Sequence, residues 1–263
     1  MNFKALSFNF NGKPSDAFNL YIMDFDNSKS TSSVTNGANV KVTQEFSARG
    51  STSFLQAVTQ HEPLKFTLKI GSPTPMDRQQ IDSISRWLFG HLEPKKLEII
   101  QDDMRGVYYN CFLTNPKNIY IADCAYGFSC EVLCDSPFAY ERERQQDFYI
   151  SNGKQNVIFN NRSSDNDYMR PKIFFQCNRQ GGSVRITNLT DDGNVVEIKN
   201  LDMGEGITMD SKTNIITSTT GKRRLGNTNY NFLKFLPEMN KLTIEGDLDK
   251  LTVIYQNMRK VGG

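Results

Sequence analysis

Apolar and polar residues alternate along most of this chain, and the alternation breaks clearly once. Leu64, Phe66, Leu68 and Ile70 are separated by Lys65, Thr67 and Lys69, the period-two pattern of a half-buried strand. Similar runs bounded by turn residues predict strands at 3–10, 96–100, 106–113, 119–122 and 127–134. The break falls between Pro73 and Gly90, where Ile81, Ile84, Trp87 and Leu88 recur at spacings of three and four. That spacing predicts one α-helix over residues 76–90, with Pro75 and Asp77 in its first turn and Gly90 as its stop. The apolar stripe is expected to pack on its own domain's sheet. Phe89 lies off the stripe, which makes it the exposed candidate for contact with another subunit.

After Tyr140 the pattern is strands alone. Runs at 148–150, 156–159, 171–176, 183–188, 195–198, 206–210, 215–217, 241–244 and 251–256 read as strands, and Asp191-Asp192-Gly193-Asn194 between two of them is a hairpin signal. Many short strands with regular turns predict an antiparallel β-sandwich. Residues 141–147 are seven consecutive polar residues after an aromatic strand end, a natural boundary. The expected architecture is mainly β in two domains: residues 1–142, sandwich-like with the one helix, and residues 143–263, the sandwich. Residues 27–39 are nearly all Ser, Thr, Asn and Gly and predict a long loop or arm tip.

Composition adds limits. The 263 residues are 38% hydrophobic, enough for a buried core. Through Tyr140 there are 13 Lys and Arg against 14 Asp and Glu; from Glu141 onward there are 18 against 15. Near-balance argues against a dedicated nucleic-acid binder. No apolar run approaches the ~18 residues that would cross a bilayer, so no membrane insertion is expected. The opening residues lack the apolar stretch of a signal peptide, so folding in a cytoplasm is expected. Five cysteines, at 111, 124, 130, 134 and 177, form no disulfide framework, and the parity of Cys130 and Cys134 with Phe128 and Val132 places them in a strand's buried face.

Catalytic patterns fail on inspection. Gly127-Phe-Ser129-Cys-Glu131 lacks the last glycine of a hydrolase elbow and lies in an alternating strand. Cys124, Cys130 and Cys134 have the wrong spacing for zinc, and His61 and His91 read as surface or helix-end residues. Asp24-Phe-Asp26-Asn27 opens like a calcium loop but has Lys29 where the turn glycine belongs. Gly204-Glu-Gly206 has neither the third glycine nor the helix of a dinucleotide loop. Asp102-Asp103, Asp165/Asp167 and Asp191-Asp192 sit in turn-rich segments. No catalytic residue, cofactor or metal is assigned. The basic run Lys222-Arg223-Arg224, with Lys212, reads as a water-exposed loop, with phosphate contact as the alternative. The sequons at Asn161 and Asn188 carry little weight. A saccharide site in the second half has Tyr149, Tyr168, Tyr230 and Tyr255 to draw on, and no Trp or His.

One arrangement is more specific. The helix carries Ser85-Arg86-Trp87-Leu88; then come Lys96-Leu97-Glu98-Ile99-Ile100, Tyr108-Tyr109-Asn110-Cys111, and a closing Phe128-x-Cys130-x-x-x-Cys134-Asp-Ser-Pro-Phe-Ala-Tyr140. With Lys241-Leu-Thr-Ile-Glu-Gly246 and Leu251-Thr-Val-Ile-Tyr255 as the last strands, this order resembles the distal tail protein (Dit, baseplate hub) family of siphophages over most of the chain. The resemblance implies a virion tail-tip protein assembled in the bacterial host cytoplasm, without enzymatic activity. Its first domain would form a homo-hexameric ring between the tail tube protein and the tail tip protein, with a channel that DNA crosses without specific binding. Its second would be a galectin-like β-sandwich that docks peripheral baseplate or receptor-binding proteins. In such a ring Phe89, Asn27, Val34 and Asn39 are the candidate interface residues, the last three in the loop that could serve as an arm. The alternative is a carbohydrate-binding module that uses the second domain to recognise a host-surface saccharide.

Overall fold

Asp77 starts the helix by satisfying backbone donors that no earlier turn can. Its carboxylate accepts from Gln80 N at 2.8 Å, and the Gln80 side chain accepts from Asp77 N at 2.9 Å, a reciprocal capping box. The helix, α1, runs Arg78–Phe89 and buries Ile84, Trp87 and Leu88. At its end His91 Nε2 donates to Trp87 O at 2.7 Å, and a Cβ on Gly90 would lie 2.6 Å from Arg86 O. The computed structural model describes residues 7–23, 43–46, 53–56, 62–101 and 105–260. They fall into two units: one runs to Glu141 and takes the chain back from Arg259, and the other is Arg142–Met258.

In the first unit the strands are β1 (Phe8–Phe10), β2 (Lys13–Pro14), β3 (Tyr21–Ile22), β4 (Thr43–Phe46), β5 (Ser53–Gln56), β6 (Lys65–Met76), β7 (Lys95–Ile99), β8 (Val107–Ile121), β9 (Cys124–Cys134) and β10 (Ala139–Glu141). The main sheet runs β2-β1-β7-β8-β9-β6-β3, with β10 against β8 and β4–β5 a separate hairpin. Trp87 fixes the helix to this sheet. Its indole N–H donates to Phe10 O at 3.2 Å, and its ring stacks on Phe18 with centroids 4.4 Å apart. Phe8, Leu68, Ile70, Leu97, Cys111, Phe128, Cys130 and Val132 complete the core. Gly127 lets β9 approach β6: a Cβ there would meet Ile70 O at 2.1 Å.

Two expectations for this unit change. The predicted strands 106–113 and 119–122 are one strand, β8, because register shifts near Asn115 and Tyr120 absorb the irregular residues without ending the pairing. Phe89 is not exposed: it is half-buried and packs on the first core, its ring edge-on to Phe128 at 6.0 Å.

The second unit is two antiparallel sheets on one core. Its strands are β11 (Arg144–Tyr149), β12 (Lys154–Asn161), β13 (Lys172–Cys177), β14 (Gly182–Asn188), β15 (Asn194–Leu201), β16 (Gly206–Asp210), β17 (Ile215–Ser218), β18 (Glu238–Gly246) and β19 (Leu248–Tyr255). One sheet has the order β11-β19-β13-β16-β17, the other β12-β18-β14-β15. Alternate residues face inward: Ile173, Phe175, Ile207, Met209, Leu251 and Val253 from the first, Phe159, Val184, Ile186, Val196, Leu242 and Ile244 from the second. Phe159 stacks on Phe235 at 4.1 Å. The hairpin read at Asp191–Asn194 joins β14 to β15, with Asp192 and Gly193 at positive φ.

Candidate interaction surfaces and cleft

The far half of the β8–β9 hairpin presents two of the first unit's exposed apolar residues. Beyond Cys111, β8 pairs only with β9 among the described residues, so its other edge is open from Phe112 to Ile121. Pro116 and Lys117 blunt that edge as natural edge strands do. The tip is a two-residue turn, Ala122-Asp123, with φ of 47° and 61°. Tyr120 and Ile121 before it are more than half exposed. Asn27, Val34, Asn39, His61 and the acidic runs at 24–27 and 102–103 lie outside the described residues.

In the second unit, loops at one end of the sandwich enclose a cleft of about 730 Å³. Tyr168 and Tyr230 both line it; of the other tyrosines weighed for a sugar site, Tyr149 is exposed elsewhere and Tyr255 packs against Phe159. The cleft is built from turns about 20 residues apart, each fixed by its own polar residues. Asp191 accepts from the Tyr168 hydroxyl at 3.2 Å and from Asn194 Nδ2 at 3.1 Å, and lies 3.5 Å from Lys234 Nζ. Lys234 Nζ also sits 4.2 Å over the Tyr168 ring. Beneath, the wholly buried Asn188 donates to Lys234 O and to Asn240 Oδ1, anchoring the loop before β18. Sequence reasoning named the two tyrosines and missed Arg170, Ser211, Asn214 and Asn231, whose types alone carry no signal.

Other residues singled out in the sequence have structural roles. Arg224 is not part of a solvated basic loop. Its guanidinium grips the fully buried Glu205 carboxylate at 2.8 and 2.5 Å and reaches Asn200 O at 2.9 Å and Asp202 at 3.1 Å. That contact, with Ser218 Oγ donating at 2.5 Å, holds the Glu205 carboxyl down to about 2. Glu205 thereby fills the Gly204–Gly206 turn with an ion pair. Asp165 and Asp167 accept from backbone N–H groups of their own turn. Asn161 and Asn188, the sequon asparagines, are buried and hydrogen-bonded. Ser129 lies within β9. Cys111, Cys130, Cys134 and Cys177 are buried and Cys124 is exposed. Burial pushes the Cys130 and Cys134 thiols up to about 12 and raises that of Cys111 as well. No three His, Cys, Asp or Glu side chains converge as a metal set, and no helix is long and apolar enough to cross a membrane, among the described residues.

Two family models together account for most of the chain. One, described as a phage tail protein N-terminal domain, matches residues 3–136; the other, a phage tail C-terminal domain, matches residues 138–255. The chain belongs to this phage tail protein family. As a phage tail protein it is a component of the virion. Its fold is similar to that of the Dit protein (gp 19.1) of phage SPP1, with a TM-score of 0.70 at 8% identity, over 96% of this chain and 99% of that one. It is also similar to a chain of the phage p2 baseplate in its activated conformation with Sr, with a TM-score of 0.51 at 9% identity, over 98% of this tail protein and 99% of that chain. No curated protein matches the sequence. The phage tail protein thus has the two-domain, mainly β fold of Dit, with one α-helix among the described residues.

Proposed function

We propose that this phage tail protein is the distal-tail hub of its virion. Residues 1–142 form the ring domain, and six copies close around a channel that DNA crosses without specific binding. The ring joins the tail tube protein to the tail tip protein. Residues 143–263 dock peripheral baseplate or receptor-binding proteins. The role is assembly without turnover. The observation that carries this reading is likeness over the full length of both chains to the SPP1 protein, which is described as a paradigm of a hub adsorption apparatus. The open β8 edge and the apolar hairpin tip supply surface for a neighbouring copy, and ring closure would make such a contact heterologous. Phe89, only partly buried, and Asn27, Val34 and Asn39 in the arm stay as candidate interface residues. The near-neutral first domain suits a channel that must not grip phosphate.

Light scattering on a sizing column, across a concentration series, tests the reading. The expected species is about six times the 30.0 kDa monomer and ring-shaped by electron microscopy. A chain that stays monomeric even when co-expressed with its tail tube and tail tip proteins would overturn it.

A further inference from the structure

We infer that the cleft at the loop end of the second unit binds a neutral saccharide. This goes beyond the hub reading and does not depend on ring formation. Three observations converge on it. First, Tyr230 is held in a conformation that an aromatic residue adopts only under constraint, with φ of 61°. Its neighbours impose this: Asn229 and Asn231 each donate a side-chain N–H to Val195 O, at 2.7 and 2.9 Å, stapling the loop to β15 on both sides. The result is a tyrosine 66% exposed at the rim, its ring open to solvent. An amphipathic ring displayed in this way is a platform for the C–H face of a sugar.

Second, Asp192 and Asn214 line the cleft, are exposed, and their side chains make no hydrogen bond among the described residues. Planar carboxylate and amide groups of this kind pair with adjacent hydroxyls on a sugar ring. Third, the two cations of the cleft are already matched. Arg170 lies 3.6 Å from Asp167, and Lys234 lies 3.5 Å from Asp191. No unpaired positive charge remains to favour a phosphate or a carboxylate, which selects a neutral ligand. The volume of about 730 Å³ is that of a ligand site.

The test uses the full chain on a printed panel of neutral saccharides (hexoses, 6-deoxyhexoses, N-acetylhexosamines and their short oligomers) beside acidic ones. Calorimetric titration of the best neutral binder follows. Wild type is expected to bind at least one neutral saccharide. Tyr230→Gly is expected to weaken that binding about tenfold, the loss of one stacking contact, while the melting temperature holds or rises because the strain is relieved. Asn214→Gly is expected to weaken binding several-fold with no loss of stability, since the amide has no protein partner among the described residues and glycine suits its φ of 56°. Binding of none of the neutral saccharides, of the acidic ones alone, or equally by wild type and both variants would overturn the inference. Light scattering on the same samples separates it from the hub reading: rings that bind no sugar leave the hub standing, and a sugar-binding monomer does the reverse.

Discussion

Glu205 and Arg224 show how much single residues carry in the second unit. A carboxylate with no exposed surface is tolerable only because a guanidinium, a hydroxyl and a backbone N–H satisfy it. Arg224→Ala strands that charge and is expected to cost about 3–5 kcal/mol, read by chemical denaturation. The pH dependence has a definite sign. Arg224 lowers the folded pKa of Glu205 from 4.5 to about 2, so the folded state takes up this proton later than the unfolded one. Its stabilisation is complete above pH 4.5 and fades as pH falls toward 2, and Glu205→Gln is expected to flatten that part of the stability profile. The five thiols divide as sharply. Alkylation of the native protein is expected to label Cys124 alone, with the four buried cysteines reacting only after denaturation, read by intact mass. Little of this was legible in the sequence. The buried cysteines followed from strand parity, but nothing local separates Arg224 from Lys222 and Arg223. Its burial is set by a carboxylate 19 residues away.

At the scale of elements the sequence was far more informative. All nine strands predicted after Tyr140 are present within a few residues, because each exposes alternate side chains to a single core and writes that alternation into its residues. The helix was legible for the same reason, and its start shifts only from 76 to Arg78 because Met76 still pairs with Ala125 at the end of β6. Asp77→Ala removes the cap and is expected to cost about 1 kcal/mol. Trp87→Ala removes the indole that ties α1 to β1 and is expected to cost about 3–5 kcal/mol, both read by thermal or chemical unfolding. β8 misled the reading because Asn115-Pro116 looks like a turn. In the sheet those residues sit on the open edge, where a proline's missing N–H breaks no pairing. The cleft was legible only as two tyrosines. Its walls come from loops of the unit that only the sandwich brings together, and no periodicity records that.

At the scale of the whole molecule, two separate cores make two separately testable units. Trp87, the single tryptophan, lies in the first and reports on it alone. Arg224→Ala is therefore expected to lower the unfolding midpoint seen by far-ultraviolet circular dichroism of the β-rich chain while leaving the tryptophan-fluorescence midpoint in place. The two units also differ in how the chain enters them. It leaves the first at Glu141 and rejoins it at Arg259, and those two side chains form an ion pair there. The second unit is thus an insertion whose two splice points lie side by side on one host. Such a cassette can be exchanged for another sandwich, or for a short linker, without opening the host sheet. On the hub reading proposed above, such an exchange would change what the second unit docks and leave the ring domain untouched.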